Sequence, residues 1–509
     1  MKNIFAVLTA ALALLTAARA AEKPKLVVAV AVDQSRYDYL LRFRSEYKEG
    51  LDRLLKRGAV FTNAYYQHFP TVTAIGHSTF MSGATPSISG IVGNDWYDRE
   101  SGKNVTSVSD DSTKMLGGSG GAGASPHRLL VSTLGDELKM SNSRSRVIGI
   151  SLKDRSAILP AGHMADGAFW FDQKTGQFVS STYYFSALPA WVSEFNAAHP
   201  ADRYKGATWM GRKYDETGEK LYAALHESPF GNELVEALAE RAVEAEKLGQ
   251  RGVTDVLAVS FSSNDYIGHA LGPDSPEVHD ISVRTDQVLG KLFQFLDARV
   301  GVGKVLVVMT ADHGVSPVPE VNQARKMPGG RMPPRIVRDT VQAALTKKYG
   351  AGEWISSPSE HSLYLNLDLI REKKLDPAEV NRTAAEAAIH IPHVFRVYTR
   401  EQLIHGAVLQ DQVSRRVMNG FYERRGADVY LLLEPYWMFG AHGTTHGTTF
   451  SYDAHVPVIF LGPGIKSGRH DETIAVNDIA PTLATLLGVE TPSGSVGRVL
   501  EEIFAAEKD

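Results

Sequence analysis

The chain has 509 residues, 43% of them hydrophobic and 22% charged, the proportions of a soluble globular protein with room for a large core. A net charge of −4 without a basic stripe speaks against a nucleic-acid partner. The absence of cysteine excludes disulfides, a thiolate nucleophile, thiolate metal ligands and a cysteine-derived formylglycine, so any transition metal must be held by His, Asp or Glu.

In chain order, residues 1–20 come first. Lys2 gives a positive start, residues 4–15 form an apolar run, and Ala18 and Ala20 are small residues at the −3 and −1 positions of a cleavage site. This pattern predicts a secretory signal peptide cut after Ala20, because the run is shorter than the roughly 20 residues a membrane span needs. Residues 21–509 are then expected as a periplasmic or secreted catalytic domain, with no stable membrane anchor after cleavage. Near-continuous apolar, β-branched runs at residues 26–32, 147–152, 256–261, 305–310 and 456–461 predict strands buried on both faces, the mark of a mostly parallel sheet. Helical spacing is expected over residues 73–82, closed by Gly83, and over 232–248. Ser275-Pro276-Glu277 starts a helix running to about residue 296, and residues 478–487 close at Gly488. Strands alternating with helices give an α/β sandwich.

Two stretches break that rhythm. Residues from about 165 to 225 are rich in Tyr, Trp and Phe without a clear period, and those from about 315 to 440 open on a Pro/Gly cluster before a small α+β unit. Both are read as insertions forming a cap. Gly118, Gly120 and Gly123 match G-x-G-x-x-G, but they follow a polar run rather than a strand, which favours a loop over a nucleotide cradle.

Three of the expected strands lead into carboxylates: Asp33, then Asp265 with His269 four residues on, then Asp312 with His313. His446 follows late, in Gly443-Thr444-Thr445-His446-Gly447. Strand carboxyl ends converge on one crevice in an open α/β sheet, so these residues can meet. Singly, each has a plainer role as a helix cap, a surface pair or a turn residue. Jointly, three aspartates and three histidines suit two closely spaced zinc ions with N and O ligands, because gathered carboxylates repel until a dication neutralises them. Thr73 stands at the start of an expected helix, where backbone amides and the dipole favour an anion; Thr71 or Thr73 could equally be an N-cap.

These motifs resemble the alkaline phosphatase superfamily, in the branch of type I phosphodiesterases/nucleotide pyrophosphatases and related threonine-type alkaline phosphatases. Phe69-Pro70-Thr71-Val72-Thr73 is similar to the branch's nucleophile segment, and Gly90-Ile91-Val92-Gly93-Asn94 to its following Gly-Ile-x-x-Asn, whose Asn touches a phosphate oxygen. The resemblance implies an alkaline-phosphatase-like catalytic domain in which Thr73 attacks phosphorus and a phospho-Thr73 intermediate forms. It assigns Asp265, His269 and His446 to one Zn2+, and Asp33, Asp312, His313 and the Thr73 oxygen to the other. Lys153 and Arg155 resemble the Lys-x-Arg pair of the monoesterases. Two cations, one a planar fork, match a monoester dianion better than a diester. The expected activity is hydrolysis of small-molecule phosphate monoesters; a zinc phosphodiesterase or nucleotide pyrophosphatase using the same residues is the alternative.

Overall fold

Strand β1 (Leu26–Val32) sets the architecture: all seven of its residues are buried. Leu26, Val28, Val30 and Val32 enter one apolar core, while Val27, Ala29 and Ala31 enter another on the opposite face. A strand with two dry faces needs a layer of helices on each, and burying each valine contributes about 1.5–3 kcal/mol. The computed structural model describes residues 23–359 and 361–505, so the expected signal peptide lies outside the described residues.

The remaining strands of the central sheet are β2 (Ala59–Tyr65), β3 (Ser109–Leu116), β4 (Ala122–Ala124), β5 (Val147–Ser151), β6 (Gly167–Asp172), β7 (Gln177–Ser181), β8 (Asp255–Phe261), β9 (Val305–Thr310), β10 (Val458–Leu461) and β11 (Gly468–Ala475). Its 11 strands run in the order β11-β2-β10-β9-β1-β8-β5-β6-β7-β3-β4. The centre, from β9 to β6, is parallel. The expected strand at 456–461 is present as β10, but it lies antiparallel to both of its neighbours. The aromatic stretch from about 165 to 225 begins inside this sheet, as β6 and β7, before it leaves it. Gly117, Gly118, Gly120 and Gly121, all at positive φ, form the turn between β3 and β4.

Among the helices that frame the sheet and its carboxyl edge are α1 (Thr73–Ser82), α2 (Asp154–Ala161), α3 (Pro229–Glu246), α4 (Ser263–Leu271), α5 (Pro276–Arg299) and α6 (Ile479–Leu487). Their ends follow local chemistry. Ser275 Oγ accepts the Val278 N–H at 3.2 Å to start α5. Gly83 (φ 68°) and Gly488 (φ 61°) close α1 and α6 in the left-handed conformation. Helices α3 and α5 pack Leu238, Leu289 and Leu292 on one face of the sheet, and α1 and α6 pack Phe80 and Leu483 on the other.

Residues 336–433 build a second, antiparallel sheet of four strands in the order Ile355–Pro358, Ser362–Leu365, Val429–Leu433, Val394–Thr399. One face carries its own core around the fully buried Trp354. The other, through Tyr364, Tyr398 and Tyr430, shares a core with Phe69 and Ile75, so this unit packs on the segment that carries Thr73.

Candidate metal centre

Strands β9, β1, β8 and β5 are consecutive in the sheet, and beyond their carboxyl ends stand Asp312-His313, Asp33-Gln34, Asp265 and Lys153. Parallel direction thus brings residues scattered over the chain to one edge. Two clusters of three ligands result, Asp265/His269/His446 and Asp33/Asp312/His313, each with its donor atoms within 4.8 Å of one another. Helix α4 begins directly after β8, so Asp265 and His269 share a helix face, with Oδ1 and Nε2 3.2 Å apart. His446 arrives on the loop after β-strand Trp437–Phe439, with its Nε2 3.8 Å from Asp265 Oδ1 and 3.2 Å from His269 Nε2.

All three imidazoles are aimed in the same way. Nδ1 donates to a backbone carbonyl in each: His269 to Thr444 at 2.8 Å, His446 to Thr71 at 2.8 Å and His313 to Gly314 at 2.9 Å. A carbonyl only accepts, so Nδ1 carries the proton and the Nε2 lone pair points into the centre, the orientation seen in metal-bound histidine. Asp33 Oδ1 and Asp312 Oδ2 are buried there without a hydrogen-bond partner. Facing imine nitrogens and orphaned carboxylate oxygens in a dry pocket are what a dication satisfies, and the all-N/O donor set fits zinc.

The electrostatics agree. Burial, with the Asp265 and Asp312 carboxylates beside it, pushes Asp33 well above the ordinary carboxylate range. Burial also opposes ionisation of Asp265 and Asp312, but Lys153 and the histidines facing them hold both below it. Burial lowers His313 and His446, keeping them neutral as ligands must be. At His269 burial works in the same sense, yet the Asp265 carboxylate outweighs it and raises the pKa.

Neither threonine caps α1. The N-cap is Val72, without a side-chain cap bond, and Thr71 Oγ1 donates to the Thr448 carbonyl at 2.9 Å. Thr73 opens the helix, buried, with Oγ1 3.4 Å from His313 Nε2. The Ala74 N–H donates to Asn94 Oδ1 at 2.8 Å, which leaves the Asn94 amide N–H groups available to a ligand. Lys153 Nζ sits between the two clusters, 2.5 Å from Asp33 Oδ2 and 2.6 Å from Asp265 Oδ2. Burial opposes its charge, but these carboxylates overcome it and raise the ammonium pKa. Two of its three N–H donors are used; the third is free for a ligand oxygen. Arg155 lies in the first turn of α2 beside it, its guanidinium 3.9 Å from Asp154, and its Nε is buried and unbonded.

Two residues at the centre were not among the expected site residues. The Gln34 backbone N–H donates to Asp312 Oδ1 at 3.0 Å and its side-chain Nε2 to Asp265 Oδ1 at 2.7 Å, so one residue touches both clusters. It is buried and held at φ 62°, a strained conformation for a side chain of this kind. His77, one turn beyond Thr73, bridges the Thr73 carbonyl and Ser260 Oγ and lies 3.4 Å from Asp312 Oδ2. Adjacency to Asp33 and to Thr73 was the available sequence signal for each. A cleft of about 440 Å³ opens on the centre at Asn94, His269 and His446, walled by Trp96, Tyr97 and Tyr364; the residues described around it include no lysine or arginine.

A family model described as "Type I phosphodiesterase / nucleotide pyrophosphatase" matches residues 27–455. Alkaline phosphatase PhoV of Synechococcus elongatus is 37% identical, over 95% of this chain and 93% of its own. A Myroides odoratus protein named calcium-transporting ATPase is 38% identical, over 94% and 95%. Alkaline phosphatase PafA of Elizabethkingia meningoseptica is 36% identical over 95% of each chain. The crystal structure of wild-type PafA superposes with a TM-score of 0.89 at 35% identity, covering 96% of this chain and 100% of that one. Among the described residues no helix is long and apolar enough to cross a membrane. The chain belongs to the type I phosphodiesterase/nucleotide pyrophosphatase family of the alkaline phosphatase superfamily, and has the α/β fold of the alkaline phosphatase PafA.

Proposed function

We propose that this chain is an alkaline phosphatase that hydrolyses small-molecule phosphate monoesters with Thr73 as nucleophile and two zinc ions as cofactors. The observation that supports it most directly is the Thr73 hydroxyl, 3.4 Å from His313 Nε2, at the rim of the buried ligand cluster. Asp33, Asp312 and His313 would hold one ion with the Thr73 oxygen, and Asp265, His269 and His446 the other. Bound there, the two ions supply Lewis acidity to the attacking and leaving oxygens.

Thr73 Oγ1 gives up its proton to solvent and forms a bond to phosphorus as the bond from phosphorus to the alcohol oxygen breaks, and that oxygen takes up a proton from solvent. The alcohol departs into the cleft beside His269 and His446. A water then attacks phospho-Thr73 from the same side, releasing phosphate and restoring the hydroxyl. Two in-line inversions give retention at phosphorus. Asn94 through its amide, Lys153 through its third N–H and Arg155 through its fork hold the non-bridging oxygens, whose charge spreads in the transition state. That cationic pair favours the dianion, which is the ground for a monoesterase over a diesterase. The leader at residues 1–20 supports export to a periplasm or beyond the cell.

Metal analysis with paired rates on an aryl phosphate and its methyl diester tests the reading. The expected result is two zinc ions per chain, loss of turnover on chelation, return with zinc, and faster monoester hydrolysis. Turnover that survives exhaustive chelation, or a faster diester reaction, overturns it.

A further inference from the structure

Asp453 lies in the short helix Ser451–Ala454, fully buried, and among the described residues no lysine, arginine or histidine side chain pairs with it within 4.0 Å. Burial pushes this carboxyl up to about 7, and hydrogen bonds, first from Thr448, offset the cost together with the more distant Arg36 guanidinium. Its Oδ2 accepts two from Thr448, the backbone N–H at 2.8 Å and the hydroxyl at 2.6 Å. Bonded at both its N–H and its hydroxyl, Thr448 is held in place, and its carbonyl accepts the Thr71 hydroxyl at 2.9 Å. The Thr71 carbonyl accepts His446 Nδ1 at 2.8 Å. Three consecutive hydrogen-bonding steps therefore join Asp453 to a ligand of the cluster at the cleft, passing two residues from Thr73.

The backbone of the same residue reaches the other cluster. The Asp453 carbonyl accepts the Gly314 N–H at 2.7 Å, and the Gly314 carbonyl accepts His313 Nδ1 at 2.9 Å. Tyr452 reinforces this through its carbonyl, which accepts the Val315 N–H at 2.9 Å. Gly314 is required here, because a Cβ at that position would run into the Tyr452 carbonyl.

We propose that Asp453 is a positioning residue that aims one histidine of each cluster, His446 through its side chain and His313 through its backbone carbonyl. The inference rests on the zinc reading above. Its chemistry is that of the partners that orient metal-bound histidines, extended by two links. Substituting the carboxylate disturbs only the His446 arm, since the carbonyl arm is backbone.

Asp453→Asn keeps the shape and removes the charge that gathers both Thr448 donors; Thr71→Val removes the next link. In zinc competition against a chromophoric chelator, each variant is expected to hold the weaker of its two zinc ions about 10-fold less tightly, with the tighter ion unchanged. The fall in kcat should be restored by excess zinc, and the double variant should be no worse than the poorer single one, because both act in one chain. Circular dichroism at the assay temperature keeps folding out of the comparison, and Thr71→Val carries the test if Asp453→Asn does not fold. A wild-type chain that binds no zinc overturns the functional reading and this inference together. Variants that bind both ions as tightly as wild type, or whose losses simply add, overturn the positioning role alone.

Discussion

The two ligand clusters use the same residue types but differ in access, one being sealed and the other open at His269. Asp33, Asp312 and His313 have side chains that are 0–1% exposed and stand directly on strand ends. His269 is 37% exposed and comes from a helix, while its partner His446 comes from a loop; both border the cleft. On the proposed reading the difference is a division of labour. A nucleophile must be held dry and still, and Thr73, the proposed one, lies against the buried cluster. A departing alcohol needs an exit, and the other cluster has one. Strands β1 and β9 supply the buried cluster, whereas β8 with helix α4 and the segment after residue 440 supply the open one.

The comparison breaks first at Thr73. Thr73→Ala is expected to lower kcat/KM by about 10⁴-fold or more while both zinc ions remain bound, because the hydroxyl is replaced and all six protein ligands stay. Metal content and steady-state rates on one aryl phosphate measure both. A variant keeping a tenth of the activity would remove the nucleophile assignment. Next come the ligands themselves. Asp312→Ala should cost about 10³-fold and resist rescue by added zinc, because it also strips the acceptor of the Gln34 N–H in a sealed pocket. His269→Ala should cost about 10²-fold and be largely restored by excess zinc, since its site stays accessible. Equal rescue of the two would show that access does not distinguish the clusters.

Removal of metal from the intact chain reads the same contrast with a smaller effect. Chelation should proceed in two phases, the first at least about 10-fold faster than the second, and the His269→Ala variant should lack the fast phase. Stopped-flow with a coloured chelator resolves this. A single phase in the wild type would mean that the ions leave together.

How far the sequence carried this picture depends on what each signal encodes. The apolar runs before Asp33, Asp265 and Asp312 marked buried strands, and the requirement for parallel direction placed their ends together. The i, i+4 spacing of Asp265 and His269 was visible, but the helix Ser263–Leu271 that makes it a shared face was not among the expected helices. The direction of β10 was not legible, since residues 456–461 read as the same apolar run whichever way they run. Strands β3 and β11 are mostly half-buried or exposed and polar, so they gave no continuous apolar signal. Gln34 and Asp453 escaped because their roles rest on hydrogen bonds to residues more than 100 positions away or on loop geometry, neither of which leaves a period or a motif.

Gln34 gives the finest test, because its backbone serves the buried cluster and its side chain the open one. Gln34→Ala deletes only the bond to Asp265 Oδ1, so the open cluster alone should weaken, by about 10-fold in zinc affinity. The variant's fold should also suffer, since alanine inherits φ 62° and leaves the space that the glutamine amide fills against Gly268. Gln34→Gly deletes the same bond but accepts that φ without strain, which is worth about 1 kcal/mol. Thermal melts should therefore rank glycine above alanine, while zinc competition finds the two equal. Were zinc affinity to follow the melting order instead, Gln34 would be acting through stability of the β1 turn, and the open cluster would owe nothing to its amide.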